Sequence, residues 1–249
     1  MSIEKVQEHT YVHELDVEVA YLNENQTLKP SAYQALFAQL AENHLYSFGA
    51  GANVTLKHDL AWVLISISIE ISKPIDKCMK LYANTWYSQR KGPYYRRELI
   101  FYNDKNDIMF KGSTFSILMN VKDRSVFRKK DLPFSLTTPY PKFCVEASPH
   151  FRDEGDFDIV ETRKVLNSFI DGYGHVNNRY YGNFAYDAFN EEEKNRLSKL
   201  KRMDIYFKSE MRLNDSFTIK KSADQNQIII QGYNNTKDDI SFDIVFKFA

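Results

Sequence analysis

At 249 residues the chain is long enough for one large domain or two small ones, and its 43% hydrophobic and 27% charged residues fit a globular protein that folds unaided. Thirty-three basic residues balance 33 acidic ones, which leaves no global field to draw it to nucleic acid or to an anionic membrane, so neither is expected as a partner. The two cysteines, Cys78 and Cys144, lie far apart without ligand spacing, so no metal site is expected; with no signal-peptide run at the N-terminus and no stretch of transmembrane length, the chain reads as cytoplasmic with reduced thiols.

From Thr10 to Ala20 the pattern predicts a strand, and SAYQALFAQLAENHLYSFGAG, from Ser31, predicts a helix. Tyr33, Leu36, Phe37, Leu40 and His44 share a face of it, Ser31 can cap its start, and Gly49 and Gly51 can end it. Four strand-like runs follow. In the clearest, DLAWVLISISIEIS, the residues Ala61, Val63, Ile65, Ile67, Ile69 and Ile71 are expected on one face and Ser66, Ser68 and Glu70 on the other. The others are KLYANTWYSQR, RRELIFYND and MFKGSTFSILMNV, separated by turn chemistry such as KGP and NDKND. LPFSLTTPYPKF, from Leu132 to Phe143, is spaced by prolines and reads as a linker.

The order of elements then repeats. FDIVETRKV reads as a strand, a glycine-rich stretch leads into a helix, and KRMDIYFKSEMRL, DSFTIKKSA, QIIIQGY and ISFDIVFKFA read as strands; in the last, Phe242, Ile244, Phe246 and Phe248 alternate with polar residues apart from Val245. An internal duplication accounts for this order. The fold class is α+β, in which each half lays a long helix across a curved antiparallel sheet, and the two sheets can join into one. The expected domains are residues 1–131 and 150–249, with 132–149 between them. Basic clusters at Arg96–Arg97, Arg128–Lys129–Lys130 and Lys199–Lys201–Arg202 read as solvated surface, or as landing points for an acidic partner.

The stretch IDGYGHVNNRYYGNF, from Ile170, holds the densest chemistry. Three glycines let its backbone turn sharply or approach a ligand, and Tyr181, Phe184, Ala185 and Phe189 then fit one helix face, which makes Asn177 or Asn178 a natural N-cap. A polar cluster at a helix start lies where unpaired N–H groups and the helix dipole favour a developing negative charge, such as a carbonyl oxygen under attack. A glycine-rich turn with a capping asparagine is the plainer reading of the same residues.

This order of elements, with GHVNN at the start of the second helix, resembles the tandem hot-dog acyl-acyl carrier protein thioesterases of bacteria and plant plastids over nearly the whole chain. AWVLISISIEISKP resembles the family's "aWvl…i…P" strand and NTWYSQRKGPYYRRELIFYN its "TW…r.f" region. DGYGHVNNRYY resembles the "DxNxHVNNxxY" signature and IYFKSEMRLND the following "Y-x-x-E…D" strand. The resemblance implies catalytic positions at Asp171, His175 and Glu210, with Glu210 supplied by the strand after the helix. Tyr173 stands where the family has a catalytic asparagine, so Tyr173 or Asn177 would have to take over its role. Single-domain hot-dog acyl-CoA thioesterases are similar through D-x-x-G-H-V-N-N, which matches Asp171, Gly174, His175, Val176, Asn177 and Asn178 without that asparagine; there the aspartate is implied to act as base or nucleophile.

Thioester hydrolysis needs an activated water and a polarised carbonyl, and no cofactor is implied. Asp171 or Glu210 would activate water, His175 would orient and polarise, and backbone N–H groups near Asn177 and Asn178 would hold the oxyanion. Asn178, Tyr181, Trp62 and Trp86 are candidate substrate contacts, the two tryptophans as walls of an acyl channel, although Tyr181 and both tryptophans are core by default. His175 could instead brace the turn, and Glu210 could be an outward strand residue. The first half carries YLNENQTLKPSAYQ where the second has GHVNN, so one active site per chain is expected, with the acyl pocket in the first half. Three functions follow: hydrolysis of acyl-acyl carrier protein, with the acidic carrier as partner; hydrolysis of acyl-CoA; or, motivated by Tyr173, acyl-thioester binding without turnover. The two halves already mimic a hot-dog dimer, which leaves a further homodimer optional.

Overall fold

The computed structural model describes residues 10–152 and 155–249. In the first half β1 (Tyr11–Val17) leads through a short turn into α1 (Pro30–Ser47) and α2 (Ala52–Thr55), then β2 (Leu60–Ile71), β3 (Met79–Lys91), β4 (Tyr94–Tyr102) and β5 (Ile108–Asn120). The second half supplies β6 (Asp158–Lys164), α3 (Arg179–Asp187), α4 (Glu191–Arg196), β7 (Leu200–Phe207), β8 (Ser216–Ala223), β9 (Gln227–Asn234) and β10 (Asp239–Phe248). All ten strands form one sheet in the order β1-β3-β4-β5-β2-β7-β10-β9-β8-β6. Read inward from either edge the order of roles is the same, so the duplication visible in the sequence is a pseudo-twofold in space. The halves join where β2 pairs antiparallel with β7, Ile67 opposite Ile205 and Ile69 opposite Met203.

Residues directly opposite each other across paired strands share a face, which sorts the sheet into two rows. Arg97, Thr114, Ile67, Ile205, Ile244 and Ile230 run along the helix side. Trp86, Glu98, Ser113, Ser68, Asp204 and Val245 run along the other. On the helix side Leu36, Phe37 and Leu40 of α1 are fully buried with Phe101 and Phe110, while Phe184 packs on Phe217 and Tyr181 on Phe242. Each such side chain contributes about 1.5–3 kcal/mol on burial, and together they fix the helices to the sheet.

Four expectations change. The helix α1 starts one residue earlier than Ser31 implies, with Lys29 at the N-cap and Pro30 at its first position, where a missing N–H costs nothing. The second helix does not run on: α3 stops at Asp187, and Asn190 opens α4 with a capping box to Glu193, so Phe189 lies between helices. The single apolar face expected for β2 is broken by a bulge between Leu64 and Ser66. Past the bulge Ile67, Ile69 and Ile71 face the helices as expected, but before it Trp62 and Leu64 do, because an extra residue resets the alternation.

The proline-spaced segment is a strap rather than a free linker. Its first part lies on the helix side, with Phe134 against Trp62 and Leu136 in the same apolar cluster. From Lys142 onward the chain crosses the opposite sheet face, taking Trp86 Nε1–H on the Lys142 carbonyl (2.9 Å), Arg96 on Val145 (2.7 Å), Lys111 on Cys144 (2.9 Å), Arg202 on Glu146 (2.7 Å) and Ser66 on Ser148 (3.0 Å). Beneath it the buried Glu98 carboxylate pairs with Arg96 (2.6 Å) and accepts the Cys144 N–H (3.1 Å). Burial and the charge of Glu98 push the Cys144 thiol up to about 12, so it stays protonated. No helix among the described residues is long and apolar enough to cross a membrane.

Candidate active site

The stretch from Ile170 to Val176 folds as a tight hairpin. Ile170 and Val176 face each other, held by Asp171 N–H to the His175 carbonyl (3.0 Å) and Asn177 N–H to the Phe169 carbonyl (2.9 Å). Gly174 turns the chain at φ +80, a conformation that disfavours any side chain, and its N–H donates to the Asp171 carbonyl (3.0 Å). The Asp171 carboxylate closes the loop from inside, Oδ1 accepting the Tyr173 N–H at 2.9 Å.

Of the two candidate caps, Asn177 is the one that caps α3. Its Oδ1 accepts the Arg179 N–H (3.1 Å), while its Nδ2 reaches Asp171 Oδ2 (3.4 Å). Asn178 already has helical backbone angles and its side chain caps nothing; its carbonyl accepts Gln34 Nε2–H from α1 at 2.6 Å. Since the Asn177 N–H is engaged by Phe169 and the Val176 N–H by Met211 (2.9 Å), neither can hold an oxyanion as expected of this region. The Asn178 N–H has no acceptor among the described residues, which leaves it as the orphan donor of the helix start.

The side chain of Asp171 is 19% exposed, and its Oδ1 lies 3.8 Å from His175 Nδ1. That nitrogen also lies 3.3 Å from the Val176 carbonyl. Both neighbours are acceptors, so the hydrogen-bond pattern assigns the hydrogen to Nδ1 and leaves Nε2 for a ligand. Tyr173, 55% exposed, stacks on the imidazole with centroids 6.1 Å apart. Burial, reinforced by Tyr46, Asp171 and Glu42, raises the Tyr173 phenol, and those neighbours set the loop beside the C-terminal half of α1.

Glu210 comes from a neighbouring loop and not from a strand: β7 ends at Phe207, and the Val176–Met211 hydrogen bond ties the two loops together. Its carboxylate pairs with Arg124 (2.6 Å), Arg212 (2.8 Å) and, at 3.9 Å, Lys237. Burial favours its protonated form, but the Arg124 and Arg212 contacts outweigh this and its pKa is lowered. Tyr181 is 2% exposed, stacked on Phe242 at 4.6 Å, and is thus core; burial raises its phenol, with Glu210 and Asp171 adding to the shift.

Glu42 of α1, one of the neighbours of Tyr173, also lines a cavity of about 270 Å³ between α1 and the sheet, walled by Ala38, Ala41 and Leu45 of the helix and Trp62, Leu64 and Ile67 of β2. The bulge in β2 is what turns Trp62 into it. Trp86 lies on the opposite face under the strap and takes no part in the cavity. Two participants escaped the sequence reading. Gln34, which fixes Asn178, gave no local signal at all, whereas Arg97 was visible but read as surface; it lines the cavity instead.

Residues 8–132 match the family model described as acyl-ACP thioesterase N-terminal domain, and residues 157–246 match the acyl-ACP thioesterase C-terminal domain. Comparison with curated proteins finds no match. Among solved structures, a 12:0-ACP thioesterase from Umbellularia californica superposes with a TM-score of 0.82 at 12% identity, covering 98% of this chain and 99% of that one. An acyl-ACP thioesterase from Bacteroides thetaiotaomicron gives 0.79 at 16% identity, covering 96% and 98%. A MaoC-like dehydratase from Phytophthora capsici gives 0.61 at 11%, covering 97% and 96%. At such identities the superpositions speak for the fold, which is shared by different chemistries; the family models, spanning both halves, are the narrower finding.

Proposed function

The chain belongs to the acyl-ACP thioesterase family and hydrolyses the thioester of fatty acyl-acyl carrier protein, and from that premise we propose that Asp171 and His175 together handle the proton of this reaction. The Val176 carbonyl accepts the Nδ1–H of the imidazole, and the Asp171 carboxylate, 3.8 Å from that nitrogen, supplies a negative charge beside it. His175 Nε2 then takes a proton from water as the water oxygen bonds to the thioester carbonyl carbon, and Asp171 steadies the imidazolium that forms. The Asn178 N–H at the start of α3 receives the charge that develops on the carbonyl oxygen. Collapse breaks the C–S bond and the imidazolium returns its proton to the departing thiolate, giving a free fatty acid, for fatty-acid biosynthesis, and the carrier thiol.

The observation that carries this assignment is the 3.8 Å approach of Asp171 to His175, with no lysine or arginine paired to Asp171 among the described residues. Glu210 is held by three cations instead, which makes it a poor base and a good anchor between loops. The cavity in the first half serves as the acyl pocket, and the second half supplies the chemistry. Beyond Arg124 the exposed Arg128, Lys129 and Lys130, whose segment is pinned by Arg90 on the Lys129 and Lys130 carbonyls (2.6 and 2.9 Å), offer a landing surface for the acidic carrier.

Thiol release from matched acyl-acyl carrier protein and acyl-CoA substrates tests the assignment. Asp171→Asn and His175→Gln are each expected to lower kcat by about 100-fold or more, with little further loss in the double variant because the two act as a unit. Lys129→Glu with Lys130→Glu is expected to raise KM for the carrier substrate alone. Either single catalytic variant staying within about tenfold of the parent would sink the pair; tight acyl-thioester binding with no turnover in the parent would return a binding module.

A further inference from the structure

The cavity is not uniformly apolar. Adjacent residues of β4 both contribute to the cavity wall, but their guanidinium groups part ways: Arg96 pairs with the buried Glu98 under the strap, whereas Arg97 turns to the helix side. There Arg97 Nη1 donates to His44 Nδ1 and to Thr85 Oγ1 (3.3 Å). Neither acceptor is a carboxylate, and no ion pair within 4.0 Å neutralises Arg97 among the described residues. Its Nε and Nη2 have no protein acceptor there. His44 supplies no charge of its own, since burial and the neighbouring guanidinium drive it down to about 3. Arg97 is lowered by burial only to about 10, so it stays cationic at neutral pH.

A half-buried cation facing a cavity without a counter-charge is costly, and an apolar ligand pocket holds few polar groups, which fix what the pocket accepts. The free donors of a guanidinium form a planar fork suited to oxygen. We propose that Arg97 receives an oxygen carried on the acyl chain, so that the preferred substrate is an oxygenated acyl thioester, bearing a hydroxyl, keto or carboxylate group, in place of a plain hydrocarbon chain. The proposal rests on the cavity being the acyl pocket of the thioesterase reading. A plain chain would leave the fork facing hydrocarbon, which is the situation that lets a polar site reject an analogue lacking its oxygen.

The test uses acyl-pantetheine amides of one chain length, plain or with a hydroxyl or carboxylate moved along the chain, titrated calorimetrically into the full protein, into Arg97→Met and into Arg97→Lys, with each variant's Tm recorded. At least one oxygenated amide is expected to bind the parent about tenfold or more tighter than the plain one, Arg97→Met to abolish or reverse that ratio, and Arg97→Lys to keep part of it. A plain chain bound as tightly as every oxygenated one by the parent, or a ratio unmoved in Arg97→Met, would overturn the proposal. Should Arg97→Met fail to fold, the parent and Arg97→Lys ratios decide alone. Because the amides are not hydrolysed, loss of turnover elsewhere leaves this readout intact, and a failed ratio leaves the Asp171–His175 assignment standing.

Discussion

The hairpin Ile170–Val176 has a twin in the first half, Leu22–Leu28. Both are closed by one isolated bridge, Leu22 with Leu28 and Ile170 with Val176. Asn23 N–H donates to the Thr27 carbonyl at 2.9 Å, as Asp171 does to His175 at 3.0 Å, and Lys29 N–H donates to Tyr21 as Asn177 does to Phe169. Leu28 reaches the Ile75 carbonyl where Val176 reaches Met211. Even the left-handed residue is matched, Gln26 at φ 58 with Gly174 at φ +80. Two nearly identical backbones therefore differ in side chains: Asn23 and Thr27 stand where Asp171 and His175 stand. The backbone supplies a turn at a helix start, and the chemistry is a matter of two residues placed on it.

The largest expected effect comes from erasing that difference. Asp171→Asn with His175→Thr gives the second hairpin the first one's residues; thiol release is expected to fall by about 100-fold or more while Tm changes little, because the loop's own hydrogen bonds have a working precedent in Asn23. Retained activity in that variant would mean the two residues do not carry the reaction.

Next comes the seam between the helices. The same spacing that pairs the hairpins pairs Gln34 with Gly182, and these meet where α1 crosses α3: a Cβ on Gly182 would lie 2.8 Å from Ser31 Cα and 3.1 Å from Gln34 Oε1. One half gives the side chain and the other gives the room, an asymmetry that two identical subunits could not have. Gly182→Ala is expected to cost about 1–3 kcal/mol by overpacking, and to lower kcat as well, since Gln34 is displaced from Asn178. Denaturant midpoints together with thiol release check this; a stability loss at unchanged kcat would remove Gln34 from the positioning of the site.

The helices also differ in length, and α1 carries His44 in a stretch where the second half has broken its helix. Because the folded protein holds His44 neutral down to about 3 while the unfolded chain protonates near 6.5, the unfolded state binds more protons between those values. Stability should therefore fall as pH drops through that window, and His44→Gln should make the slope shallower in pH-resolved unfolding. A smaller effect tests the turn residues: Gly174→Ala, with open space for its Cβ but a left-handed φ, should cost about 1–2 kcal/mol, which Tm would register as a few degrees.

The sequence by itself determined the order of the strands, the duplication and the loop that bears Asp171 and His175, because alternation in runs such as Phe242–Phe248 and the turn chemistry of DGYGHVNN are local properties of neighbouring residues. It did not determine where the second helix breaks or where β7 ends. It also placed the first half's silent counterpart in YLNENQTLKPSAYQ. Tertiary structure alone decided which way side chains point and what they meet. The bulge after Leu64 turned Trp62 toward the cavity while the strap claimed Trp86, and a face assigned by counting cannot register an inserted residue. Arg97 left the surface for the cavity, and Glu210 was occupied by Arg124, a residue from the other half. Those outcomes depend on contacts between segments far apart in the chain, where no local pattern of residues carries the pairing.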